Sequence, residues 1–235
     1  MKKIVLSLVA VAVVGTSAFA EDILSDVEYS ANVSMTSNYV WRGMTQNSNT
    51  VAVQGGFDVA YANFYAGVWG SPVDFNDNAN SEIDLYLGYA SEFQGVSYDV
   101  NYCQYTYPGM TDELNFGEAS LTLGYDFGMA SVSGKYYVGI DTNDVDGQTT
   151  DYQPGDGWEL GVSAPVAMEI TLDATYGSYD DAQNGNTNSF GDYYSIGATK
   201  TFGKFDINLA YTGMDFDNAN TKDQDNLVAT ISTSF

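Results

Sequence analysis

Apolar and polar side chains alternate residue by residue through almost all of this chain beyond its first twenty residues, and that leaves few folds open. Val96, Tyr98, Val100 and Tyr102 alternate with Ser97, Asp99 and Asn101; Phe205, Ile207, Leu209 and Tyr211 alternate with Asp206, Asn208 and Thr212. Successive side chains of a strand point to opposite faces, so each such segment is a ribbon with one greasy and one polar side. The same pattern returns at Tyr29–Arg42, Val51–Tyr61, Glu82–Tyr89, Glu118–Tyr125, Ser131–Val138, Trp158–Ser163, Glu169–Tyr176 and Tyr194–Thr199. Helical periodicity is absent, and the chain reads as all-β.

The connections narrow the choice further. Five are tight: Ala62-Asn63, Glu92 to Gly95, Asp126 to Met129, Pro165 to Ala167, and Gly203-Lys204. Between them lie longer polar links at 43–50, 71–80, 108–112, 141–157, 178–191 and 214–225. Tight and long links alternate, as in a transmembrane antiparallel up-and-down β-barrel with short periplasmic turns and long extracellular loops. The count is about twelve strands. The last segment, Leu227 to Phe235, has Leu227, Ala229, Ile231, Thr233 and Phe235 on one side and Thr230, Ser232 and Ser234 on the other. It resembles the closing strand of bacterial outer-membrane β-barrels, which implies that Phe235 is part of the signal read by the β-barrel assembly machinery. Two groups of aromatics fit membrane boundaries: Tyr61, Phe64, Tyr125, Phe127, Phe202, Phe205 and Phe235 at the tight-turn ends, and Tyr39, Trp41, Trp158, Tyr176, Tyr194 and Tyr211 at the loop ends.

Residues 1–20 read as a signal peptide, with Lys2 and Lys3, an apolar run from Ile4 to Val14, and Ala18-Phe19-Ala20 before the cut; residues 21–235 are the barrel. The run is too short to span a bilayer as a helix. The address is the bacterial outer membrane, where lipid and lipopolysaccharide surround the barrel. The full chain carries 7 Lys+Arg against 31 Asp+Glu, and removing Lys2 and Lys3 leaves 5 − 31 = −26. Such a surface excludes nucleic acid as a partner, because phosphate binding needs bases. Cys103 is the single cysteine, so no intrachain disulfide forms. Self-association into a homo-oligomer stays open.

Several blocks resemble a known family: Ser30–Gln46, which contains Asn38-Tyr39-Val40-Trp41-Arg42-Gly43, then Ala52–Phe57, Phe64–Gly70, Glu82–Tyr86 and Tyr105–Gly109. They are similar to the Gcw_chp family of proteobacterial outer-membrane proteins, also described as TorF-family porins. The likeness is strongest from Ser30 to Glu118. It implies an outer-membrane barrel with a channel role, and it brings no substrate and no catalytic residues.

The chain has no histidine, which removes the usual general base of barrel hydrolases and, with a single cysteine, the usual zinc ligands. No catalytic constellation, metal site or cofactor is expected. Asp141-Thr-Asn143-Asp144-Val-Asp146-Gly147 approaches a calcium loop but misplaces the third ligand and the glycine. Loop acids Asp74, Asp77, Asp180, Asp181, Asp215, Asp217, Asp223 and Asp225 either collect divalent cations loosely or simply solvate the loops.

The polar faces supply the candidate pore lining: Arg42, Asp58, Glu82, Asp84, Asp99, Glu118, Lys135, Glu159, Asp173 and Asp206, with Glu169 on the same side. Rings of acids favour cations and oppose anions in a water-filled pore. The expected function is therefore a porin for passive diffusion of small cations and polar solutes, with Arg42 bridged to a carboxylate near the outer mouth. Two other readings stay open. One is a closed structural or adhesive barrel, its lumen filled by Tyr65, Trp69, Tyr86, Tyr105 and Tyr137, that acts through its acidic loops. The other is a secreted soluble β-sandwich that binds a ligand. Leu114 and Phe116 fall out of register with Leu121, which predicts a bulge or a later strand start there.

Overall fold

A computed structural model describes residues 27–75, 79–109, 114–141, 154–180 and 189–235. The expected signal peptide, Asp77, Asp181 and the calcium-loop residues 143–147 lie outside the described residues. Twelve antiparallel strands close into one barrel. They are β1 (Val27–Thr36), β4 (Ala52–Tyr61), β5 (Phe64–Pro72), β6 (Ser81–Phe93), β7 (Val96–Thr106), β8 (Phe116–Asp126), β9 (Ser131–Asp141), β10 (Gly157–Val166), β11 (Ile170–Asp180), β12 (Ser189–Phe202), β13 (Phe205–Phe216) and β14 (Gln224–Ser234). Two further short strands, β2 (Val40–Trp41) and β3 (Met44–Thr45), form a separate hairpin. The closed ring rules out the β-sandwich.

Each barrel strand pairs with its sequence neighbour, and β14 returns to β1 through Asn32↔Ser234 to Thr36↔Thr230. Phe235 completes the seam, exchanging backbone hydrogen bonds with Ala31 at 2.8 and 3.1 Å. Closure matters because an open sheet edge cannot be left unpaired in hydrocarbon.

The outer face is the apolar face of every strand. Met35, Leu85, Leu87, Leu121, Leu160, Leu172, Ile196, Leu209 and Leu227 all point away from the barrel and are exposed. An apolar belt this continuous suits lipid rather than water. Aromatic pairs bound it. At the tight-turn end Phe64 meets Tyr89 at 4.9 Å and Tyr125 meets Phe127 at 4.7 Å between ring centroids. At the loop end Trp158 meets Tyr176 and Tyr194 meets Tyr211. There the phenols of Tyr194 and Tyr211 both donate to Asp225, at 2.5 and 2.8 Å, so each ring keeps an apolar body and a polar tip.

Two expectations are corrected and a third is decided. The segment Tyr29–Arg42 is not one strand: β1 stops at Thr36, and the chain turns into the barrel. Tyr39 and Trp41 therefore leave the outer girdle for the interior. Glu169 is not inward; it sits exposed in a short 3-10 turn, Ala167–Glu169, at the tight-turn end. Finally, of the bulge and the later strand start expected near Glu118, the later start holds: β8 begins at Phe116 and keeps unbroken register with both neighbours. Phe116 is simply an inward residue, buried on the same face as Glu118.

Candidate functional site: the lumen and its inward hairpin

The inner half of the barrel, toward the tight turns, is lined rather than filled. Inward tyrosines lie flat across inward glycines of the neighbouring strand. A Cβ on Gly88 would meet the Tyr65 ring at 2.3 Å, and a Cβ on Gly67 would meet the Tyr86 ring at 2.5 Å. Nearer the loop end, Gly157 beneath Tyr137 and Gly177 beneath Tyr193 repeat the device. Rings laid along the wall leave the centre open. A cavity of about 910 Å³ runs from the Ala62-Asn63 turn up to Trp41 and Arg42, and Tyr65, Trp69, Tyr86, Tyr105 and Tyr137 line it instead of plugging it.

The tyrosines also hold the acids. Tyr86 donates to Asp58, and Tyr65 donates to Asp99 at 2.9 Å while accepting from Asn101 at 2.9 Å. Tyr193 donates to Glu159 at 3.1 Å. Asp206 stands apart near the tight-turn end, where Thr201 donates to it at 2.6 Å, and Asp173 faces inward beside Ser163 and Gly197 without joining the central group.

The outer half is occupied by the hairpin β2–β3. Its base is stitched by amides. Ser37 and Ala229 bond reciprocally, Asn38 donates to Asn49 and Asn226, Thr45 donates to Asn38 at 2.7 Å, and the nearly inaccessible Asn47 accepts from the Tyr39 backbone at 3.0 Å. Buried amides are stable in such a place only when paired, and these are. The tip is the two-residue turn Arg42-Gly43, with φ of 48° and 78°. Positive φ at both central residues is the hairpin geometry that matches strand twist. Gly43 is required twice over, because any Cβ there would lie 2.0 Å from the Gly213 carbonyl of β13. Arg42 in that conformation costs on the order of 1–2 kcal/mol, which its side-chain contacts must offset.

Those contacts are extensive. The Arg42 guanidinium pairs with Glu118 of β8 and lies over the rings of Tyr137, Trp41 and Tyr179 at 3.6, 4.1 and 4.8 Å. Lys135 of β9 approaches the other Glu118 oxygen at 3.5 Å. A planar guanidinium suits this combination of carboxylate and ring faces better than an ammonium would. The expected Arg42–carboxylate bridge exists, and its partner is Glu118 of β8. Glu82 accepts from Tyr39 at 2.6 Å and engages Tyr107. Burial, with Glu82 beside them, pushes both phenols well above the ordinary tyrosine value, so each stays a proton donor to that carboxylate.

Trp41 completes the obstruction. It packs edge-on to Tyr105 at 6.2 Å and Tyr179 at 5.6 Å and tilts over Phe116 at 6.3 Å. Two apolar clusters flank it, one around Val73, Tyr107 and Phe116, the other around Tyr179, Tyr193 and Met214. The hairpin tip thus reaches from β7 and β8 across to β13. Of the sequence-derived lining, Arg42, Glu118, Lys135 and Glu159 come together, with Glu82 and Asp84 close to the hairpin base and Asp58 and Asp99 lower on the wall. Tyr39, Trp41, Phe116, Tyr179 and Tyr193 were missed as lumen residues. The signal for two of them was Val40-Trp41-Arg42-Gly43-Met44-Thr45, in which a glycine closes a two-residue turn between short apolar arms.

The model of the Gcw_chp family, described as a bacterial protein of unknown function, matches residues 20–235. No curated protein matches the chain. Among solved structures the chain is similar to the KdgM porin, with 7% sequence identity and a TM-score of 0.59 over 88% of this chain and 98% of that one. It is similar to the NanC porin, with 10% identity and a TM-score of 0.58 over 87% of this chain and 98% of that one. A structure of the KdgM porin in complex with disordered oligogalacturonate matches at 7% identity and a TM-score of 0.58, over 88% and 97%. At these identities the likeness is one of fold: the chain has a porin-like barrel.

Proposed function

We propose that this protein, which belongs to the Gcw_chp family, is an outer-membrane channel for passive diffusion of small cations and polar solutes. Residues 1–20 direct export, and the β-barrel assembly machinery engages the strand ending at Phe235. On this reading the tight turns face the periplasm, the loops face outward, and lipopolysaccharide surrounds the loop end.

One observation carries the cation preference. The cavity is lined by the acids Glu28, Asp84, Asp99 and Glu159 against the bases Arg42 and Lys135, and both bases are already committed to Glu118. The field left for a passing solute is negative, and low-dielectric walls concentrate it. Oligogalacturonate, named in complex with the KdgM porin, is a polyanion and suits such a lumen poorly.

The hairpin makes the pore narrow. Its tip crosses the section where the channel would otherwise be open, and conduction runs through what remains around Trp41 and Arg42. The test is the reversal potential of the refolded, signal-free protein in a planar bilayer under a KCl gradient. Discrete steps with a cation-selective potential are expected. Anion selectivity would overturn the charge argument, and insertion without steps would overturn the channel and leave a barrel that acts through its loops.

A further inference from the structure

Among the described residues, Glu118 and Asp84 both stand beside rings that pack on Trp41, and the chain supplies a cation only to Glu118. Glu118 takes Arg42, which is held against Tyr137, Tyr179 and Trp41. In the barrel register Asp84 stands directly between Trp69 of β5 and Tyr105 of β7. Tyr39 packs edge-on to Trp69 at 5.4 Å and Trp41 packs on Tyr105 at 6.2 Å, so the hairpin roofs the carboxylate. Asp84 and all four rings line the cavity. Asp84 is only 8% exposed, and its Oδ1 has no hydrogen-bond partner within the protein. Among the described residues no base pairs with it, since both lumen bases go to Glu118.

We propose that Asp84, with Trp69, Tyr105, Tyr39 and Trp41, forms a binding station for the ammonium head of a primary alkylammonium ion. A buried carboxylate oxygen without a partner is costly, and an N–H donor carrying positive charge relieves that cost most fully. Ring faces stabilise the same charge and cover the alkyl body. Methylated ammonium ions offer the charge without the donor, and neutral alcohols offer a donor without the charge, so both fit less well. The Glu118 site shows the same chemistry already satisfied by the chain's own guanidinium. A solute held at Asp84 lies at the inner face of the constriction, where it is concentrated next to the narrowest passage.

This station rests on the channel reading for its role in transport, while its binding chemistry can be read separately. Trp41 and Trp69 are part of the box, so intrinsic fluorescence of the refolded protein in detergent reports on it. Titration with n-butylammonium chloride at constant ionic strength is expected to give a saturable change. That change should weaken roughly tenfold in Asp84→Asn, the loss of a charge-assisted bond, and persist in Glu92→Gln at the exposed turn end. 1-Butanol should give none, and tetramethylammonium a weaker one. Trp69→Leu, which keeps the carboxylate and removes a wall, should also weaken binding and serves if Asp84→Asn does not refold. No saturable change, or an equal response in Asp84→Asn, overturns the station. In a bilayer, n-butylammonium should interrupt the potassium current of the wild type more than that of Asp84→Asn. A barrel without current that still binds n-butylammonium defeats the channel and spares the site; a current indifferent to n-butylammonium, with no fluorescence response, does the reverse.

Discussion

The two halves of the lumen are built from the same inward residue types, tyrosines and carboxylates on alternate positions, yet one is open and the other is narrowed by the hairpin. In the inner half Tyr65 and Tyr86 lie against Gly88 and Gly67, and each phenol donates a hydrogen bond to a neighbouring acid. In the outer half the rings of Tyr105, Tyr137 and Tyr179 have something to pack on, because Trp41 and Arg42 are delivered to the centre by a loop. An inward aromatic is therefore not by itself a plug. Whether it lies along the wall or closes the pore depends on a partner at the axis, and in this barrel the partner is a hairpin that leaves the strand ladder.

The largest break in that comparison comes from removing the hairpin. Replacing residues 38–49 with a short Gly-Ser link should make the outer half resemble the inner one and raise single-channel conductance several-fold. Conductance equal to the wild type would mean that the hairpin does not limit flow. A smaller effect follows from Glu118→Gln, which leaves Arg42 and Lys135 among low-dielectric walls without their carboxylate. Removing one partner of a buried pair costs about 3–5 kcal/mol. Denaturant unfolding should show that loss, and cation selectivity should fall because two bases are freed. Stability within error of the wild type would make the pair an ornament of the constriction rather than its fastening. The smallest effect is expected in the open half. Gly88→Ala places a methyl group into the Tyr65 ring, and overpacking of this kind costs about 1–3 kcal/mol. The ring should swing off the wall and lower conductance slightly. An unchanged melting temperature would show that the ring-on-glycine contact is loose.

Strands, their number and their facing could be read from the residues because alternation is local: a strand with Leu121 and Leu123 outward must turn Thr122 inward whatever else happens. The acids Asp58, Asp84, Asp99 and Glu159 were legible as lumen residues for the same reason. Tyr39 and Trp41 were misread because their spacing continues the alternation of β1, although the chain has by then left the sheet at Thr36. Glu169 was misread because the alternation of the strand that begins at Ile170 was carried one residue back into the turn. The parity break at Leu114 and Phe116 marked a later strand start, because β8 begins at Phe116.

The sequence by itself determined the barrel, its apolar exterior, its acidic interior and the alternation of tight and long connections, since each follows from the side-chain period and from turn residues a few positions apart. Only the tertiary structure decided where the loop after β1 goes, which carboxylate takes Arg42, and which is left to the cavity. Those outcomes depend on contacts between residues far apart in the chain: Arg42 with Glu118, Gly43 with Gly213, Trp41 with Tyr179. No local pattern encodes them, because the barrel brings these residues together only after it has closed.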